Sequence, residues 1–549
     1  MNLFETVFNQ NSLNRTAILY EQRRISYAEL RDETVVVARV LSKLGVRQGD
    51  RLALLLNDSP EFVAAFIAIC SYGAIAVPIN MALRFDQQRA ILNDCTASVA
   101  IVEADVCKAL STETAGRLPH LEQIIVIGRE RDGEANTTED SEKDNEENDE
   151  ALKVLSFGKL MDQAKIAYAD NTAAEVAFPE PGEDQPAFIL YTSGSTGEPK
   201  GAVHRQSDIF YTYATYCCEV LHLRAGDKLF SSSRLPFAYG LGNSFTFPLL
   251  NGCTTILCRE KPSPEVIARV FEDYKPTIFF AVPVVYRLLL DAQKNHSSSS
   301  LDCSSLRLCI SAGEALPAQI GEEWEKAFAI PVLDGIGSTE MLHMWMSNHE
   351  GDVVYGSSGK LLQGYEARLL DPEGKPTPAG AEGNLWVRGA SAAIGYWQRE
   401  ENTAGTFVDG WVRTGDLYHQ DSHGCWFHMG RSDDCFKSSG QWVSPVEVEG
   451  VLLRHQGISR AAVVEDFDTE GLSCACAFVV CAETYVDSTS LEQGLRELAR
   501  AALPRFKQPR RYLFVDELPY TATGKIQRFK LRDRLRTVPR PTSNVQSPP

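Results

Sequence analysis

The stretch Tyr191-Thr-Ser-Gly-Ser-Thr-Gly-Glu-Pro-Lys-Gly201 concentrates Ser and Thr hydroxyls, glycines and one lysine between two ordered regions. That combination is suited to binding phosphate. Gly194, Gly197 and Gly201 let backbone N–H groups turn toward an anion, Thr192, Ser193, Ser195 and Thr196 add hydroxyl donors, and Lys200 adds a positive charge. The loop of P-loop nucleotide hydrolases is excluded, because it needs glycine, four residues, then Gly-Lys-Ser or Gly-Lys-Thr. Here Pro199 stands five residues after Gly194, and Lys200 is followed by Gly201.

Such a loop needs a rigid frame. The apolar run Ala187-Phe-Ile-Leu190 reads as a buried strand that delivers the loop to a sheet edge. Upstream, apolar residues at Leu30, Val35, Val37, Val40, Leu41 and Leu44 before Gly45 predict a helix over 26–44, followed by a strand at 51–56, a helix at 59–71 and a short strand at 74–78. Downstream the pattern resumes with helices at 208–220, 264–274 and 283–293 and strands at 228–231, 278–281, 306–310 and 332–335. This alternation implies a parallel, helix-covered sheet. The apolar stretch 62–79 is long enough to suggest a membrane span, but Gly73 and Pro78 interrupt it and no basic flank follows, so a buried helix running into a strand is expected. Beyond 445, helices at 445–454 and 490–502 and strands at 458–465 and 475–481 predict a smaller α+β unit.

At 549 residues the chain calls for at least two domains, and 44% hydrophobic with 23% charged residues is ordinary globular composition. A formal net charge of −19 argues against a nucleic-acid partner. The charge is uneven: between Glu130 and Glu150 acids outnumber Arg131 and Lys143 heavily, so 128–152 is expected to be a solvated, disordered acidic insertion. The 14 cysteines show no CxxC pair or Cys/His cluster and read mostly as small core residues. With no basic segment leading into an apolar one at the start, a cytoplasmic protein without a membrane partner is expected, with a disordered tail at 537–549.

The 191–201 stretch resembles the signature loop of the adenylate-forming enzymes, the superfamily of acyl- and aryl-CoA synthetases, peptide-synthetase adenylation domains and beetle luciferases. Ser311-Ala-Gly-Glu-Ala-Leu-Pro317, Asp334-Gly-Ile-Gly-Ser-Thr-Glu-Met-Leu-His343, Trp411-Val-Arg-Thr-Gly-Asp-Leu417, Gly430-Arg-Ser-Asp-Asp-Cys-Phe-Lys-Ser-Ser-Gly440 and Leu518-Pro-Tyr-Thr-Ala-Thr-Gly-Lys-Ile-Gln-Arg528 are similar to its other motifs, and the likeness covers roughly 4–535. The resemblance implies an α/β fold with a large N-terminal domain of helix-covered, mostly parallel sheets (1–432) and a small mobile α+β C-terminal domain (433–536), pivoting at Asp433. It also implies ATP, Mg²⁺ and coenzyme A. Thr192, Ser193, Gly194, Ser195, Thr196, Gly197 and Lys200 would close on the β- and γ-phosphates. Gly313, Glu314, Ala315, Asp334, Gly335, Ile336 and Gly337 would form the adenine and substrate segments, and Asp416 and Arg431 would hold the ribose. Thr339 and Glu340 would meet the α-phosphate and Mg²⁺, a metal that takes one or two acidic oxygens beside phosphate. A carboxylate's paired acceptors suit the vicinal diol at Asp416. Lys525 would bridge carboxylate and phosphate with a compact cation. Ser438, Ser439, Gly440 and Trp442 would build the thiol channel, and Lys437 would be a further cofactor-binding residue.

Within the superfamily the resemblance is nearest to benzoate-CoA ligases, carried by Phe237-Ala-Tyr-Gly-Leu-Gly-Asn243, Gly335-Ile-Gly-Ser-Thr-Glu-Met-Leu-His-Met344 and Lys437-Ser-Ser-Gly-Gln-Trp-Val-Ser-Pro445. It implies a benzoate or small substituted benzoate in a slot formed by Ala238, Tyr239, Ala312, Gly337, His343 and Met344. Ala312 and Gly337 would leave room for the ring faces, Tyr239 would stack on it and Met344 would adapt to a substituent. His343 stands equally well as a substrate-facing group or a satisfied core histidine. The chain departs from the group at Met344, Trp345, Met346, His428 and Ser439, which leaves the acid's identity open. The expected activity is ATP-dependent ligation of an aryl acid to coenzyme A through an acyl-adenylate, with release of AMP and pyrophosphate. The alternative, loading an aryl or medium-chain acid onto a carrier protein's phosphopantetheine, needs a separate partner. A non-catalytic sensor should have lost Lys525, Glu340 or Asp416, and none is lost. A homodimer is compatible with all of this.

Overall fold

In a computed structural model, the structure describes residues 1–9, 11–113, 118–127, 152–169, 178–193, 199–294, 301–468, 470–482, 488–520 and 526–537. The acidic stretch 128–151, residues 194–198, 521–525 and the tail from 538 lie outside them.

Two large mixed sheets carry the expected parallel core. One has eight strands in the order Gly395–Tyr396, Pro199–Arg205, Pro186–Ser193, Ile75–Pro78, Arg51–Leu55, Val99–Glu103, Gln123–Ile127 and Lys153–Ser156. The other has nine, in the order Lys360–Leu361, Met344–Ser347, Val332–Gly337, Leu308–Ser311, Ile278–Ala281, Lys228–Ser231, Thr254–Ile256, Thr16–Tyr20 and Arg23–Ser26. Their central strands are parallel and buried on both faces, so they read as continuous apolar runs such as Leu-Ala-Leu-Leu rather than as an alternation.

The covering helices are specified locally. Ser26 and Glu29 form a reciprocal capping box that starts Tyr27–Lys43. Ser59 accepts from Phe62 N–H and Pro60 opens the next helix, Pro60–Tyr72, which Gly73 ends with φ +91°. This is the helix half of the apolar stretch at 62–79. Phe62, Phe66 and Ile69 are fully buried, with Phe66 packed against Phe188 and Phe245. Each such side chain contributes about 1.5–3 kcal/mol of transfer free energy. Among the described residues no helix is long and apolar enough to cross a membrane. All fourteen cysteines are free thiols, most of them buried.

Three features differ from the sequence expectation. The helix expected over 208–220 is an α-helix only at Gln206–Thr212 and continues as a π-helix at Tyr213–Leu221. A second π-helical turn, Gly242–Thr246, lies between two short α-helical segments of 238–250 that periodicity did not reveal. Strands Glu366–Leu370, Gly383–Arg388, Trp411–Gln420, Phe407–Val408 and Trp426–Arg431 form a wholly antiparallel five-stranded sheet. Beyond it come the hairpin Phe436–Ser438/Gln441–Val443 and a three-stranded sheet of Ile458–Phe467, Ser473–Cys481 and Arg511–Phe514, with helices Pro445–Leu452, Ser488–Ala502 and Arg528–Thr537.

The acidic stretch joins Gln123–Ile127 to Lys153–Ser156, at the far end of the sheet from the 186–205 hairpin. Five strand spacings separate Lys153–Ser156 from Pro186–Ser193, on the order of 24 Å. Deleting 134–149 is therefore expected to leave kcat within about twofold of the intact chain. A steady-state assay on the deletion variant checks this, and a tenfold loss would contradict it.

Candidate active site

Pro186–Ser193 and Pro199–Arg205 pair antiparallel, with Thr192 opposite Lys200, so the expected phosphate loop is the tip of a hairpin. Strand Gly395–Tyr396 covers the hairpin's outer edge. Gly194, Ser195, Thr196 and Gly197 lie outside the described residues, as does Lys525. Gly201 has a different reason from the one expected. It sits within the strand, where a Cβ would lie 2.6 Å from Ile189 Cγ2 and 2.9 Å from Tyr191 Cζ, so packing and not an anion turn requires glycine.

Lys200 Nζ lies 5.6 Å from the centre of the Tyr396 ring, and the Tyr396 hydroxyl donates to Glu340 Oε1 at 2.7 Å. Burial, and then the Glu340 charge, raise the Tyr396 phenol well above its ordinary range, so it is the donor in this pair. On the other side His204, fully buried, reaches the Thr339 carbonyl through Nε2 at 2.8 Å and Asp208 Oδ2 through Nδ1 at 2.9 Å. A carbonyl only accepts, so Nε2 carries a proton. Arg205 Nε holds the second Asp208 oxygen at 2.9 Å, and the Ala393 N–H donates to the Glu340 carbonyl. Thr339 and Glu340 are thus braced by groups that sequence reasoning missed. The only signal was His204 and Asp208 spaced i, i+4 where a strand turns into a helix.

Asp416 and Arg431 face one another across paired strands, with Arg431 Nη1 3.2 Å from Asp416 Oδ1. Burial opposes the Arg431 charge, but Asp416, Asp433 and Glu340 outweigh it and raise the guanidinium's pKa, tying this pair to Glu340. Gly415 has φ +75°, a left-handed backbone that favours glycine, and lies against the Arg431 guanidinium. His428, one of the departures, sets Nε2 3.5 Å from Asp416 Oδ1.

Asp334 is 3% exposed; Oδ2 accepts from the Leu316 N–H at 3.2 Å, and Ser311 on the neighbouring strand and the Gly335 N–H are the other donors that face the carboxyl. Gly313 (φ +93°), Glu314 and Ala315 follow Leu308–Ser311 on the loop just above. Gly335 and Ile336 continue the Asp334 strand. Burial pushes the Asp334 carboxyl up to about 8. The folded apoprotein therefore holds a proton here that the unfolded chain releases near pH ~4. That stabilisation is full below ~4 and is lost as pH rises toward 8. Asp334→Asn is expected to flatten the fall of Tm between pH 5 and 8, read by thermal melts of the apoprotein; an unchanged slope would refute it.

Tyr520 and Arg528, on either side of 521–525, are both within electrostatic reach of Glu314, and Tyr520 bridges to Ile526. Ser432 is tied to the Gly415 carbonyl by its N–H (2.8 Å) and Oγ (3.1 Å), whereas Asp434 pairs with Arg532 at 2.8 Å and Arg528 at 3.7 Å. Asp433, half exposed, lies between these two anchorages. Lys437 and Trp442 pair across their hairpin, with Nζ 5.1 Å from the ring. Its turn residues Ser439 (φ +53°) and Gly440 (φ +77°) are both left-handed, as a two-residue turn demands. The hairpin packs on Ser473–Cys481 and Arg505–Lys507, with Ser438 Oγ donating to the Ser473 carbonyl at 2.9 Å.

The expected ring slot is assembled around His343. Tyr239, whose hydroxyl donates to the Ile310 carbonyl at 3.3 Å, has its ring 5.8 Å from His343, and Ala238 and His343 line one narrow crevice with Gly242 and Leu342. Burial holds His343 down at about 3, so it is neutral. Gly337 does not leave room for a ring face as expected: a Cβ there would lie 2.6 Å from the His343 carbonyl, so the 343–344 backbone fills that space. Met344 is buried with Sδ 2.7 Å from where a Cβ on Gly335 would be, and Ala312 is buried in the same cluster.

No group of three or more His, Cys, Asp or Glu among the described residues is placed to cage a metal. A single carboxylate, Glu340, beside the phosphate-loop lysine fits a hard cation that arrives with phosphate oxygens.

The family of AMP-binding enzymes matches residues 4–397, and the AMP-binding enzyme C-terminal domain matches residues 447–525. The chain is 39% identical over 495 residues to a benzoate–CoA ligase of Thauera aromatica, covering 89% of this chain and 86% of that protein. It is 36% identical over 520 residues to a 4-hydroxybenzoate–CoA/benzoate–CoA ligase of Rhodopseudomonas palustris, covering 94% and 90%. A crystal structure of an anthranilate CoA ligase in complex with anthranoyl-AMP superposes with a TM-score of 0.87 at 35% identity, covering 98% of both chains.

Proposed function

The chain belongs to the AMP-binding enzyme family, and we propose that it is an ATP-dependent aryl-CoA ligase that activates benzoate or a small substituted benzoate. The observation that carries this reading is the convergence of Lys200, Tyr396 and Glu340 with Asp416 and Arg431 beside a buried, aromatic-walled slot. ATP lies with its adenine against 313–315 and Asp334 and its ribose hydroxyls on Asp416. The acid's carboxylate attacks the α-phosphorus, pyrophosphate leaves, and the thiol of coenzyme A then displaces AMP from the aryl-adenylate.

Each step brings anions together, so preorganised positive charge and fixed donors supply most of the acceleration. Lys200 grips the leaving phosphates, and Lys525 spans the carboxylate and the α-phosphate. Tyr396 and His204 keep Glu340 and Thr339 in place. Mg²⁺ belongs to this proposal: Glu340 and nucleotide oxygens would hold it, and it would neutralise phosphate charge. The division into 1–432 and 433–536 belongs to it as well. Ser432 is anchored to one side and Asp434 to the other, so Asp433 is the pivot on which the Lys437–Trp442 hairpin replaces Lys525 at the site.

A panel of benzoates, phenylacetate, cinnamates and medium-chain fatty acids, assayed for CoA thioester, tests the reading. A benzoate is expected to give the highest kcat/KM. A higher value for octanoate than for every benzoate would overturn it.

A further inference from the structure

Asp94 lies outside the residues of the site, yet it ties together two of the segments that carry them. It ends helix Phe85–Asp94, with its side chain 13% exposed. Its Oδ2 accepts from the Tyr191 hydroxyl at 2.6 Å, Oδ1 accepts from Arg399 Nη2, and its carbonyl accepts from Trp397 Nε1 at 3.1 Å. Burial raises the Tyr191 phenol above its ordinary range, so the hydroxyl is the donor. Tyr191 stands opposite Gly201 in the hairpin, one rung before Thr192 and Lys200, a step of about 3.3 Å. The Gly201 carbonyl accepts from the Trp397 N–H at 2.7 Å, so Asp94 and Trp397 together grip both arms of that rung. The helix end is itself fixed to the sheet. Arg51 donates from Nε to the Cys95 carbonyl at 3.1 Å and from Nη2 to the Thr96 carbonyl at 2.9 Å, and its Cζ lies 5.6 Å from the centre of the Trp397 ring. Tyr396 is held separately, by pairing with Ala202 and by its N–H to Thr403 Oγ1 at 2.9 Å.

We propose that Asp94 is a positioning residue for the phosphate-binding hairpin: through Tyr191 and Arg399 it fixes where Thr192, Ser193 and Lys200 meet the β- and γ-phosphates of ATP. This rests on the adenylate-forming reading of the site and deepens it. A carboxyl suits the task because its two oxygens accept from two donors on different segments, whereas an amide at the same place offers one oxygen and turns N–H groups toward the other donor. The hairpin acts on a leaving group, and a misplacement of about 1 Å by a change remote from the chemistry can cost about 10²-fold. The clamp sits one rung from the first hydroxyl of the loop, so little of a shift at Tyr191 is absorbed before it reaches Thr192 and Lys200.

The test measures each half-reaction of Asp94→Asn with the acid that the wild-type enzyme turns over best. In ATP–pyrophosphate exchange the KM for ATP and the KM for pyrophosphate are expected to rise by about tenfold or more, while the KM for the acid stays within about twofold. Loss of folded enzyme would instead lower the apparent kcat and leave every KM unchanged. Thioester formation from supplied aryl-adenylate and coenzyme A involves no β- or γ-phosphate and is expected to stay within about twofold of wild type. Tyr191→Phe, which keeps the ring against Gly201 and removes the hydroxyl, is expected to show the same pattern at a smaller size, and the double variant to be no worse than Asp94→Asn alone, because both changes break one clamp. Tyr191→Phe decides the matter even if Asp94→Asn does not fold. A KM for ATP within twofold of wild type in Tyr191→Phe, or an equal fall in both half-reactions, would overturn this inference and leave the ligase reading standing. A wild-type enzyme that exchanges no pyrophosphate into ATP with any acid of the panel would overturn both.

Discussion

Lys525→Ala is expected to slow benzoate-dependent ATP–pyrophosphate exchange by about 10²–10³-fold or more, the loss that follows removal of one preorganised charge at a developing transition state. The placement of its neighbours supports this size. Tyr520 and Arg528, the described residues that flank Lys525 in the chain, both feel the Glu314 charge, while in the proposed reading Lys200 and Arg431 serve the far phosphates and the ribose. The KM for ATP should change far less than kcat, because binding draws on Asp416, Asp334 and the hairpin. Exchange within about twofold of wild type would remove Lys525 from the reaction.

Glu340→Gln is expected to lower adenylation by about 10²-fold and to raise the Mg²⁺ concentration needed for half-maximal rate. Glutamine keeps the shape and still accepts from the Tyr396 hydroxyl through its carbonyl oxygen, so the brace survives and only the charge is lost. Tyr396→Phe removes the brace and keeps the charge, which should cost about tenfold. The order of the two effects is the content of the prediction: if Tyr396→Phe is the more damaging, the Glu340 charge is not what the site uses. Steady-state rates across a Mg²⁺ titration distinguish them.

The parts of this site legible in the sequence are those made by contiguous residues. The 191–201 hairpin tip, the Thr339-Glu340 pair and Asp416 stand in strings whose residue types state their chemistry, and the strands beneath them are continuous apolar runs. Contacts across the chain were not legible. His204 meets Thr339 over a separation of 135 residues and Tyr396 meets Glu340 over 56, and nothing local marks either pairing. The two π-helical segments escaped because their apolar spacing differs little from an α-helix, although the turn at Gly242–Thr246 presses on His343 and helps shape the slot. Glycines were misread for a related reason. Gly201 and Gly337 look like freedom for a ligand in sequence, yet in the fold their missing side chains are filled by Ile189 and Tyr191 in one case and by the 343–344 backbone in the other.

The central claim is that one site makes an aryl-adenylate and then passes it to coenzyme A. Mixing the enzyme with ATP, Mg²⁺ and the best benzoate of the panel in the absence of coenzyme A, then quenching with acid and weighing the products by mass spectrometry, tests it directly. The aryl-adenylate should build up to about the enzyme concentration with an equal amount of pyrophosphate, and adding coenzyme A should convert it to thioester and AMP no more slowly than steady-state turnover. Formation of ADP, or thioester appearing with no adenylate that coenzyme A can chase, would contradict the account.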